Sequence, residues 1–215
     1  MIRIFAIALL LSTAASGAPR LFYSKYFKGS VPEFAAITVE RSGQATYQEA
    51  KDDDNPIHLQ LSETETQEIF DLADKLEHFQ HPVESGLKVA NMGTKTFRFE
   101  DGTEKHEVQF NYSTDTAAQA MLDYFEKIAE TEQDFIGLDR AAHYDKLGVN
   151  DALLRLEISL DHKRVVAAQQ FLPLLDRVAK NDSYLHIARE RAGNLAEAIR
   201  KPPPAQEKTQ EKTQQ

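Results

Sequence analysis

The hydrophobic pattern of this chain shifts lastingly at residue 115, and that shift limits the folds open to it. Up to residue 112, one helical stripe at 69–79 apart, the apolar residues recur at every second position, in short runs separated by turn residues; from Asp115 onward they recur at helical spacing. Strands gathered first and helices gathered after them describe an α+β chain, not the alternating strand and helix of a parallel α/β sheet. The expected fold is a small antiparallel sheet with a covering helix, followed by an all-helical C-terminal segment. The organisation read from the pattern is a signal peptide at 1–18, a β-rich α+β region at 19–112, a helical region at 113–200 and a disordered tail at 201–215.

Ile37 and Val39 alternate with Thr38 and Glu40, residues 41–44 supply a turn, and Ala45 and Tyr47 resume the alternation, which describes a hairpin. After the acidic run Asp52, Asp53 and Asp54, the residues Ile57, Leu59 and Leu61 outline a further strand. Ser62 with Glu65 three positions on forms a capping box at the start of a helix whose stripe is Ile69, Leu72, Ala73, Leu76 and Phe79, and Pro82 prevents its continuation. Phe97 and Phe99 share a face before Asp101-Gly102, a two-residue hairpin signal that sets His106 opposite Phe97, with Val108, Phe110 and Tyr112 in phase. A long helix then carries Ala118, Met121, Leu122, Phe125, Ile128, Ala129, Phe135 and Ile136. Asn150 and Asp182 are positioned to cap two later helices, and Pro173 either starts a helix between them or kinks it.

Residues 37–43 (Ile-Thr-Val-Glu-Arg-Ser-Gly), the pair Leu61-Ser62 and the segment 97–102 follow one another in the order hairpin, strand, capped helix, hairpin, long helix. This succession resembles a family of uncharacterised exported bacterial domains over residues 35–130. The resemblance implies a compact α+β module and an envelope location, and brings with it no activity and no site residues.

Arg3, the apolar run at 4–11 and the small residues at 12–18 have the order of a secretory signal segment, with cleavage among Ser16, Gly17 and Ala18. The apolar run is about half the roughly 20 residues that cross a bilayer, and no second one follows, so no membrane span is expected after cleavage and the chain is read as periplasmic or secreted. With no cysteine, stability in an oxidising compartment rests on the core. The formal net charge is −9, and acids outnumber bases in both halves, by 17 to 10 over residues 19–112 and by 15 to 11 over 113–200. A phosphate backbone is repelled by such a surface, so nucleic acid is not an expected partner.

No serine elbow, phosphate-binding glycine loop or zincin helix occurs, and no cofactor motif is present. Four groups of residues remain as candidates. His78 and His81, three apart at a helix end, can share a metal, though no third ligand is marked nearby and no metal site is assigned; otherwise they are surface histidines. His106 on the apolar face is either an acid–base residue with a perturbed pKa or a histidine at the rim of the core, since Glu104 shares its phase. Asp52, Asp53 and Asp54 lack the spacing of a calcium loop. The remaining candidate is the glycine-bounded loop at 86–93, whose Lys88, Asn91 and Met92 are the expected binding residues, because loops carried on a scaffold are free to vary for function.

The favoured reading is therefore an exported, non-enzymatic binding or interaction protein whose partner is a protein or small envelope ligand. The alternative is an exported hydrolase or metal-dependent enzyme built on the histidines and carboxylates. A further reading has the long helix pairing with a second copy through Met121, Phe125 and Ile128.

Overall fold

The computed structural model describes residues 17–201. Most of the expected signal segment and all but the first residue of the expected tail lie outside the described residues. The chain divides into two compact units, Met1–Pro56 with Glu63–Met121, and Ile57–Ser62 with Leu122–Gln215.

The protein is α+β. Six strands, β1 (Arg20–Tyr26), β2 (Phe34–Glu40), β3 (Gln44–Gln48), β4 (Ile57–Gln60), β5 (Thr94–Asp101) and β6 (Glu104–Phe110), form one sheet in the order β4-β3-β2-β1-β5-β6. Each strand pair with a resolved register is antiparallel. β1, which the hydrophobic pattern does not mark, lies between β2 and β5. Leu21 and Tyr23 are buried on one side while Phe22 and Tyr26 are partly covered or exposed on the other, so apolar residues on both sides erase the two-residue period.

β2 and β3 form the expected hairpin, with Val39 opposite Ala45 and the Gly43 N–H donating to the Glu40 carbonyl at 2.9 Å. The β5–β6 hairpin is offset from the sequence expectation. Asp101 pairs with Glu104, so the loop is Gly102-Thr103, and His106 lies opposite Phe99 instead of Phe97. Gly102 holds φ +56 at the first loop position, where a type II′ turn needs glycine; the Asp-Gly reading would have put it second and required Asp101 to adopt a positive φ as well. A shift of two pairs preserves the face, so Phe97, Phe99 and Phe110 remain buried together.

Helix α1 (Glu63–Lys75) begins directly after Ser62 and buries Ile69, Phe70 and Ala73. It gives way to a 3-10 turn at Glu77–Phe79, which delivers Phe79 onto Phe97 with ring centroids 5.4 Å apart. The remaining helices are α2 (Thr116–Tyr144), α3 (Val149–Asp161), α4 (Leu172–Ala179) and α5 (His186–Arg200). Met121, Phe125 and Ile128 are fully buried within the chain itself and so present no surface to a second copy.

The second unit's core joins Leu138 and Ala142 of α2, Leu153 and Leu156 of α3, Leu175 and Val178 of α4, and Ala188, Ala192 and Leu195 of α5. Its helix starts differ from those expected. α3 begins at Val149 after Gly148, and Asn150, one residue inside, uses its side-chain oxygen to accept from Arg191. α5 begins at His186 after Leu185, while Asp182 pairs with Arg189. Pro173 occupies the first turn of α4, where its missing N–H costs no hydrogen bond.

Candidate functional site

The loop at 86–93 has no regular secondary structure, yet its backbone is held from several directions. Just ahead of it, the Ser85 N–H donates to the Tyr112 carbonyl at 2.9 Å, and the Glu84 carboxylate accepts the Asn111 N–H at 2.6 Å. That N–H is the main influence keeping the Glu84 carboxyl below the usual carboxylate range. The Asn111 side chain spans the loop, accepting from the Met92 N–H at 2.7 Å and donating to the Ala90 carbonyl at 3.0 Å.

Lys95 is buried at the root of the loop. Its ammonium donates to the carbonyls of Asn111 at 2.8 Å, Met92 at 3.2 Å and Gly93 at 3.5 Å. A buried charge needs such partners, and here they clamp both ends of the contact to the sheet. Gly93 closes the loop against β1: at φ +87, a Cβ there would meet Phe27 Cβ at 2.8 Å and the Tyr26 carbonyl at 2.9 Å.

The clamped backbone turns its apolar side chains outward. Leu87, Val89 and Met92 are 57%, 40% and 39% exposed, with Lys88 between the first two. The three residues expected from sequence, Lys88, Asn91 and Met92, are all exposed. Asn91 has a shaping role, its side-chain oxygen accepting the Gly93 N–H at 2.9 Å. Leu87 and Val89 were not singled out by the sequence, although two apolar residues in alternation within a polar loop are the signal that finds them.

The histidines occupy the same unit. The 3-10 turn after α1 is left-handed: Glu77, His78 and Phe79 have φ of 48, 51 and 64°. His78 lies parallel to Phe99, with ring centroids 4.0 Å apart and planes 3° apart, and its Nε2 is 2.8 Å from Asp74 Oδ1. His106, across the strand pair from Phe99, has its Nε2 3.0 Å from Glu104 Oε1. His81 points its Nε2 towards Glu77 at 3.2 Å from an exposed position. Phe99 thus brings His78 and His106 to one part of the sheet, each with its own carboxylate, and His81 stands apart from the stack. No three His, Asp or Glu side chains converge as a metal-binding group among the described residues. Asp53 accepts the Asn55 N–H at 2.9 Å, which shapes the acidic loop.

A polar cleft of about 260 Å³ is lined by Gly17, Ala18, Arg20, Glu40, Glu100 and Gly102. Burial raises the Glu100 carboxyl, but Arg20, Lys105 at 3.2 Å and Arg98 at 3.0 Å outweigh it and hold the group below the usual range. The Glu100 charge is thus engaged within the protein.

Fold and site together define a cysteine-free α+β protein that presents a clamped apolar loop. No helix among the described residues is long and apolar enough to cross a membrane. No protein-family model matches the chain, and no curated protein matches it.

Proposed function

We propose that this protein is an exported, non-enzymatic binding module that engages a protein or small envelope ligand through the loop at 86–93. The observation that carries the reading is the combination of a backbone clamped by Lys95 and Asn111 with the outward exposure of Leu87, Val89 and Met92. Exposed apolar side chains on a mobile loop lose entropy when they bind; on a clamped loop most of that cost is already met in folding. Export rests on Arg3, the apolar run at 4–11 and the small residues at 12–18, and locates the protein in the periplasm or outside the cell.

The test compares the wild-type chain with a Leu87→Asp, Val89→Asp, Met92→Asp variant in extracts of the native envelope and medium. A partner is expected to copurify with the wild type and to be lost from the variant, with the unfolding midpoint unchanged. Recovery of the same partner by both chains, or of a partner-free monomer from the native source, overturns the proposal. The N-terminal residue of the recovered protein checks export independently: it is expected to lie between 17 and 19, and an intact Met1 would refute processing.

A further inference from the structure

Residues 163–171, which connect α3 to α4, are strapped to α2 by polar contacts. The Arg164 guanidinium reaches Glu130 at 2.8 and 3.0 Å and also pairs with Asp123. The Val166 N–H donates to Thr131 Oγ1 at 3.2 Å, and Gln170 Nε2 donates to Glu132 Oε1 at 2.8 Å. Two of the strap's residues, Lys163 and Ala167, hold left-handed backbone at φ 57 and 48°, a conformation that costs free energy for residues with a Cβ.

Glu132 differs from the other anchors. It is fully buried, and its second oxygen, Oε2, has no hydrogen-bond partner. The charged groups on the surrounding elements are engaged elsewhere: Arg164 with Asp123 and Glu130, Asp134 with Ser159 of α3 under the influence of Arg155, Arg177 of α4 with Asp139, Asp176 of α4 with Arg200 of α5, and Arg191 of α5 with Glu157. Among the described residues no cation pairs with Glu132, on which burial and the Gln170 amide are the acting influences.

We propose that Glu132 is a pH-operated latch, its proton keeping residues 163–171 seated on α2 and the loss of that proton releasing them. The neutral carboxyl accepts from the Gln170 amide and tolerates burial. The carboxylate in the same position carries a charge that one amide donor does not compensate, and buried charge without a partner is among the costliest states in a protein interior. Opening the strap lets water reach the carboxylate and lets Lys163 and Ala167 leave the left-handed region, so both effects favour release. Burial pushes the Glu132 carboxyl up to about 7, with the Gln170 amide opposing it, which places the transition near neutral pH.

Amide hydrogen exchange on the full chain at pH 6 and pH 8.5, corrected for the intrinsic pH dependence of exchange, tests the latch. If opening returns Glu132 to its ordinary value of 4.5 from about 7, the opening equilibrium rises roughly tenfold between these two pH values. The expected result is that increase confined to residues 164–171, its absence in Glu132→Gln, and faster exchange of the same amides at pH 6 in Gln170→Ala. Three results would overturn the proposal: an unchanged strap in the wild type, the same increase in Glu132→Gln, or an equal increase in the α1 amides, which would signal global unfolding.

Discussion

Glu77 sits where a helix-minded reading of the sequence would continue α1, yet the structure gives it φ +48°, and this conflict yields a prediction of opposite sign to ordinary helix propensity. In a right-handed helix, alanine is favoured over glycine by about 1 kcal/mol, because glycine loses more backbone entropy on folding. In the left-handed region a Cβ collides with the following carbonyl, which costs roughly 1–2 kcal/mol per residue and exceeds the entropic advantage of alanine. Glu77→Gly is therefore expected to be more stable than Glu77→Ala by about 1 kcal/mol, a swing of about 2 kcal/mol from the helical expectation. Both variants remove the exposed contact between Glu77 and His81, so the comparison isolates the backbone. Urea unfolding, read as the difference in midpoint at constant slope, is the assay, and the corresponding difference in Tm is about 4 °C. Alanine equal to or better than glycine would mean that residues 77–79 are right-handed in solution, and would remove the turn that sets His78 on Phe99. The same comparison applies at Ala167, where Ala167→Gly is expected to be neutral or stabilising although the residue is buried.

Other consequences follow from the polar contacts. Glu132 binds its proton more tightly folded than unfolded, so stability is greatest below about pH 4.5 as far as this group is concerned, falls as pH rises towards 7 and is flat above it. Glu132→Gln is expected to abolish that loss, a gain approaching about 3 kcal/mol at pH 8 and near zero at pH 4.5 in urea unfolding; a pH-independent difference would refute the assignment. Lys95→Met keeps the apolar stem but releases the carbonyls of Met92 and Asn111, and is expected to cost about 2 kcal/mol and to speed amide exchange at Met92. Unchanged exchange there would show that Lys95 does not clamp the loop. Tyr184→Phe removes the buried hydrogen bond from the Tyr184 hydroxyl to the Ala142 carbonyl, 2.8 Å long, with an expected loss of about 1 kcal/mol by thermal unfolding.

The sequence by itself determined the elements whose side chains repeat with a clear period. The β2–β3 hairpin, the start of α1 after Ser62, the alternation that buries Phe97, Phe99 and Phe110, and the long helix α2 all follow from local spacing and turn residues. The loop at 86–93 was also legible, through its glycines and its place between an arrested helix and a strand. What only the tertiary structure decided are features set by groups distant in sequence. β1 is an interior strand because β2 and β5 supply partners on both sides, and apolar residues on both of its faces hide its period. His106 meets Phe99 because the turn places its glycine first, which moves the register while preserving the face. Glu132 falls in a buried stripe that the sequence shows as polar, since the segment that covers it begins more than 30 residues later. His78 reaches Phe99 only because three consecutive residues accept left-handed backbone, a local cost that the burial of Phe79 against Phe97 offsets and that no local pattern announces. Periodicity fixes which face a residue occupies; which partner it meets there depends on long-range pairing and packing, and a strained backbone persists only where that packing holds it.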